Sequence, residues 1–123
     1  MARQGDIITL NVGGTIFSTT LTTLGQYRGT SMLAAMFDPE SGMEAAMRDT
    51  NGAFFIDRNP KAFGAILSYL RTGKLFEAYD GVTMEELLNE AEYFGLTGLA
   101  DKIKAREIRP NGNDIILFDI AVR

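Results

Sequence analysis

From Ile7 to Val12 the chain alternates: Ile8, Leu10 and Val12 fall on one side, Ile7, Thr9 and Asn11 on the other. A period of two is that of a β-strand. Gly13 and Gly14 follow. Two glycines permit positive φ at both central positions of a two-residue hairpin, so Thr15 to Thr19 is predicted as the return strand, with Phe17 and Thr19 on one side. A glycine pair behind a strand also occurs in phosphate loops, but those open directly into a helix with a Lys and a hydroxyl residue in register. Here another β-rich segment follows, and no Lys occurs before Lys61. The pair is read as a hairpin.

Helical spacing then takes over. Thr20 is placed to cap a short helix through Leu24, and Ser31 to cap another that carries Met32, Leu33, Met36 and Phe37. Residues 38–52 show no clean period and end in the turn signal Asn51-Gly52. Ala53 to Ile56 reads as a third strand. The most fully specified element is a helix over 60–72. Asn59 is its cap, and Pro60 takes the first position, where a missing N–H is harmless. Phe63, Ile66, Leu67 and Leu70 form its stripe, and Gly73 lies just past its end. Phe76 and Tyr79 follow in a loop or short strand. Thr83 and Glu86 make a capping box for a helix that buries Met84, Leu87, Leu88, Ala91 and Phe94 and stops at Gly95. Tyr93 falls nearly opposite that stripe at 100° per residue and is expected to be exposed. Thr97 is expected to cap a last helix that buries Leu99, Ala100 and Ile103 and ends near Pro110.

Strands first and helices later indicate an α+β fold, with helices packed against a three-stranded sheet. Residues 111–123 stand apart. Ile115, Leu117 and Asp119 alternate with Ile116, Phe118 and Ile120 behind a Pro-Asn-Gly turn, which predicts an extra C-terminal strand. Both of its faces are largely apolar, so it is expected to pair with something rather than remain an open edge.

At 123 residues with 46% apolar content, the chain is the size of one domain with a real core. A net charge of −4 and the absence of a Lys/Arg cluster argue against nucleic acid. Lys102, Lys104, Arg106 and Arg109 are interrupted by Asp101 and Glu107 and read as a solvated helix face. The chain has no Cys and no His. Thiolate and ordinary zinc sites, cysteine nucleophiles and the Ser-His-Asp arrangement are therefore ruled out. Carboxylates remain for acid–base work, but Glu85, Glu86, Glu90 and Glu92 read as the first turns and outer face of a helix. A non-enzyme is expected, with no metal and no cofactor. "MARQGD" lacks the apolar stretch of a signal peptide, and no run approaches the ~20 residues of a membrane helix. A soluble, cytoplasmic domain is expected.

Three ordered blocks carry a resemblance: "LNVGGTIFSTT" with a following "TL", "GAFFIDRNPKAFGAILSYLRTGKL", and "LLNEAEYFGLTGL". From about Asp6 to Lys104 the chain resembles the BTB/POZ domains of the potassium-channel tetramerisation type, and within them the soluble KCTD-like proteins. The organisation implied is a BTB/POZ tetramerisation-type domain over 1–109, followed by a tail or extra strand over 110–123. The resemblance further implies a homo-oligomerising interaction module, a ring of four or five copies. In many soluble members such a module is a cullin-3 ubiquitin-ligase substrate adaptor. The alternative is a pure oligomerisation domain of a potassium channel or scaffold, without cullin binding. Some channel relatives carry a His/Cys zinc site between subunits, and this chain has neither residue type.

By the same resemblance Phe76, Tyr79 and Tyr93 are the expected cullin-binding residues, the first two in a loop expected to pack near the third. A lone exposed aromatic is also ordinary on any surface. Asn11, Asp57 and Arg58 are the expected oligomer-interface residues. Without a ring, Asn11 reads more readily as a strand-end hydrogen-bonder than as an interface residue, and Asp57–Arg58 reads equally as a local cap and turn brace. The chain departs from the family pattern at Leu21, where Arg is frequent, at Asn59 in place of Asp, and at Ser68 in place of Asn. Asn caps a helix as well as Asp does, whereas Leu21 removes one polar contact between subunits.

Overall fold

The computed structural model describes residues 6–38, 40 and 47–108. The C-terminal strand expected over 111–123 lies outside the described residues. Strands β1 (Ile7–Val12) and β2 (Thr15–Thr20) form the hairpin, with Gly13 at φ 56° and Gly14 at φ 104°. Both glycines thus take the left-handed backbone that the sequence predicts. Strand β3 (Phe54–Ile56) lies beside β1, giving the order β2-β1-β3, with β1–β2 antiparallel and β1–β3 parallel. The strand begins one residue later than expected because Ala53 closes a turn. Its N–H donates to the Asp49 carboxylate, and its carbonyl accepts from the Asp49 N–H.

Short helices α1 (Leu21–Leu24) and α2 (Met32–Met36) start at Thr20 and Ser31, whose hydroxyls accept the N–H groups of Thr23 and Ala34. Helix α3 (Pro60–Thr72) has the expected Asn59 cap, bonded to the Lys61 and Ala62 N–H groups, and ends on Gly73 at φ 75°. Helix α4 (Met84–Tyr93) closes both halves of its Thr83–Glu86 capping box. Helix α5 (Thr97–Ile108) starts on Thr97 itself, so that residue is the first turn rather than the cap.

One face of the sheet is covered. Leu10, Val12 and Ile56 meet Phe63, Ile66, Leu67 and Leu70 of α3, Leu87 and Ala91 of α4, then Phe94, and Leu99 and Ile103 of α5. Phe63 lies at the centre, edge-on to Phe17 at 5.3 Å and to Phe94 at 5.7 Å. Such pairs add about 0.5–1.5 kcal/mol beyond their buried area.

Tyr27 takes φ 63° and stacks on buried Tyr69, with ring centroids 5.4 Å apart. Burial, and then the hydrogen bond with Tyr27, push the Tyr69 phenol from 10.0 up to about 12. A raised folded-state pKa contributes stability that is fully present below pH 10.0 and is lost as pH rises towards about 12. Ultraviolet titration should show one tyrosine ionising at that late step, and Tyr69→Phe should remove the step. An unchanged curve for Tyr69→Phe would contradict the assignment.

Candidate functional site

Two surfaces stand out, and both are built around residues expected from the sequence. The first is the uncovered face of the sheet. Cross-strand partners share a face, so the pairings Ile7↔Thr20, Thr9↔Ser18, Asn11↔Ile16 and Asn11↔Phe55 place Ile7, Asn11, Ile16 and Phe55 together on the outside. Ile7 is 75% exposed and Ile16 56%, with Phe55 and Met47 exposed too. Met47 is brought alongside by its carbonyl, which accepts from the Phe55 N–H at 2.6 Å. Asn11 sits between Ile16 and Phe55 and is locally tied. Its amide nitrogen donates to the Asp49 carboxylate at 2.8 Å, and its oxygen accepts from the Gly14 N–H at 2.8 Å. The Asn11 bond, then the Ala53 N–H, hold the Asp49 carboxyl below its ordinary value of 3.8. A lowered carboxylate pKa contributes stability that is present above about pH 3.8 and lost as pH falls through the folded value.

The second surface lies where the 57–59 loop meets the end of α4. Arg58 donates to Glu90 twice, Nε to Oε1 at 3.0 Å and Nη2 to Oε2 at 2.6 Å. Its Cζ also lies 3.8 Å from the centroid of the Tyr93 ring. The Glu90 bond raises the already high pKa of the guanidinium. Glu90, expected on the outer helix face, is 5% exposed. It lies about a quarter-turn from the centre of the apolar stripe at 100° per residue, close enough for Arg58 to reach over and cover it. The only signal in the sequence was that flanking position. Asp57 is exposed and adds only a weak charge attraction to Arg58. Tyr93 is 44% exposed, with one edge against Phe94 at 5.0 Å.

The other two aromatics are elsewhere. The Tyr79 hydroxyl accepts from the Phe76 N–H at 3.0 Å, and Arg106 of α5 donates to the Phe76 carbonyl at 2.7 Å while approaching the Met84 sulfur. This cluster is at the start of α4 and Tyr93 is at its end, nine residues or about 14 Å along the axis. The expected packing of Phe76 and Tyr79 near Tyr93 is therefore corrected: α4 holds them apart. Arg106, expected on a solvated face, is half-buried in this contact, whereas Lys102 and Lys104 are exposed.

Two surface depressions offer little chemistry. One, of about 420 Å³, runs along residues 28–38 and holds a single carboxylate, Asp38. The other, of about 380 Å³, lies on the outer face of α4 between Glu85, Glu86 and Glu92, with Leu88 and Asn89. Among the described residues no group of three or more His, Cys, Asp or Glu is placed to hold a metal, and no helix is long and apolar enough to cross a membrane.

Residues 8–103 match the BTB/POZ domain family. The BTB/POZ domain-containing protein KCTD9 of Mus musculus is 43% identical over 104 residues, which are 85% of this chain and 30% of that protein. The BTB/POZ domain-containing protein KCTD3 of Homo sapiens is 42% identical over 83% of this chain and 12% of its own length. SH3KBP1-binding protein 1 of Rattus norvegicus is 41% identical over 84% of this chain and 14% of its own length. The chain thus spans less than a third of each of these relatives.

Proposed function

This chain belongs to the BTB/POZ domain family of the potassium-channel tetramerisation type, and on that premise we propose that it is a cytoplasmic, non-enzymatic module that assembles with copies of itself and docks cullin-3 as a KCTD-type adaptor. The observation that carries the assembly reading is the apolar outer face of the sheet, where Ile7, Ile16 and Phe55 surround Asn11. Apolar side chains gathered on one exposed face favour a covering partner. A single interface repeated head to tail closes into a ring of four or five copies. Light scattering at micromolar concentration should report that mass, and Ile16→Lys should lower it. A monomer throughout would remove the assembly reading.

The cullin-3 reading rests on the resemblance and on Tyr93, an exposed aromatic backed by Arg58. Aromatic side chains are enriched among binding hot spots. Tyr93→Ala should weaken binding to the N-terminal region of cullin-3 by about 2 kcal/mol or more. The fold should lose the ring's contacts with Arg58 and Phe94, about 1–2 kcal/mol together. Phe76 and Tyr79, at the far end of α4, contribute through a separate contact or none. Calorimetric titration of wild type, Tyr93→Ala and Phe76→Ala separates these outcomes. A ring that does not bind cullin-3 would leave the pure oligomerisation domain of a channel or scaffold as the better reading.

A further inference from the structure

Glu90 is the one buried carboxylate among the described glutamates of α4; Glu85, Glu86 and Glu92 face solvent. Burying a carboxylate with a guanidinium removes hydration that their attraction roughly balances, so such a pair is weak evidence for stability. Its geometry does something more specific. The Arg58 stem is set from behind: its N–H donates to the Ile56 carbonyl at 3.0 Å, and its own carbonyl lies against Gly13, 2.5 Å from where a Cβ would stand. Two bonds to Glu90 then fix the plane of the guanidinium. That guanidinium lies over the Tyr93 ring, 3.8 Å from its centroid, and Phe94, itself buried against Phe63, makes a T-shaped contact with the same ring. The rest of the ring, 44% exposed, is presented to solvent in a set orientation.

We infer that the Arg58–Glu90 pair is a positioning device for Tyr93, acting on partner docking through the orientation of that ring and not through contact with the partner. The inference rests on the cullin-3 reading above. A ring ordered before binding loses less freedom on docking, so loss of the pair lowers affinity while the fold persists.

The test is a double-mutant cycle. Arg58→Met with Glu90→Met replaces the pair by apolar side chains of similar length and keeps a thermal midpoint close to wild type, and because Arg58 is also an expected interface residue, affinities are compared at matched ring mass. Its affinity for the N-terminal region of cullin-3 falls about tenfold, whereas in a Tyr93→Ala background the same two substitutions change affinity by less than about twofold. In the free protein, the Arg58 Nε–H resonance carries a ring-current shift that Tyr93→Ala abolishes and Tyr93→Phe keeps. Should the double variant not fold, Arg58→Lys replaces it: the charge stays, the fixed plane goes, and affinity falls. Wild-type affinity in either variant overturns the inference alone. So does an equal further loss in the Tyr93→Ala background, which would mean that Arg58 touches the partner directly. Absence of binding by the wild type overturns the cullin-3 reading and this inference with it.

Discussion

Gly95→Ala is expected to destabilise the domain by about 4 kcal/mol, through two effects. Gly95 has φ 73°, and a residue with a Cβ pays about 1–2 kcal/mol for that left-handed conformation. The new methyl would also overlap the backbone carbonyl of Thr30. That carbonyl cannot move freely, because, two residues on, the Met32 N–H donates to the Phe94 carbonyl at 2.7 Å and Ser31, between them, caps α2. Forcing extra atoms into such a contact costs about 1–3 kcal/mol. For a domain of this size each kcal/mol shifts the thermal midpoint by roughly 4 °C, so a fall on the order of 15 °C should be seen by circular dichroism. A fall of only a few degrees would mean that the 30–32 segment is not held against the end of α4. Gly14 provides the control: it also has positive φ, but nothing lies within 4 Å of its would-be Cβ, so Gly14→Ala pays the conformational part alone.

Glu90→Ala should cost about 3 kcal/mol, close to the whole effect of stripping one partner from a buried ion pair. The loss comes less from the attraction removed than from the charge left behind. Arg58 keeps only a quarter of its side-chain surface exposed and would face the core edge with two unpaired N–H groups. The lower end of the range applies because that quarter admits water. Urea denaturation at matched protomer concentration measures the loss, since assembly and folding are linked by mass action. Arg58→Met in the same chain should recover most of the loss, because the stranded charge is then gone. No recovery would mean that the pair stabilises the fold in its own right.

Most local structure is legible from a single chain. Thr20, Ser31, Asn59 and the Thr83–Glu86 box cap the helices they were expected to cap, and the stripes on α3 and α5 are buried, while on α4 Leu87, Ala91 and Phe94 are buried and Met84 and Leu88 only half-buried. These features depend on neighbours three or four residues away, and their rules hold wherever the segment sits. The family is legible for a related reason: its three blocks carry the hairpin turn, the β3–α3 junction and the end of α4, where backbone and caps leave few substitutes. Thr97 missed by one position, and Ala53 left its strand because Asp49, four residues back, claimed its N–H.

What the sequence by itself determined was where the elements begin, end and turn their apolar faces. The tertiary structure alone decided which polar residue is buried and which glycine has no room. Glu90, like Glu92, only flanks the apolar stripe of α4, and the arrival of Arg58 from 32 residues away makes it a buried partner. Gly13 and Gly95 look like ordinary turn and helix-end glycines, until Arg58 and Thr30 bring their carbonyls against them. Phe76 and Tyr79 parted from Tyr93 because they pack at the start of α4 and Tyr93 stands at its end, nine residues of helix away. The physical reason is common to all three: burial and contact depend on distances between segments, and periodicity along the chain contains no information about those distances.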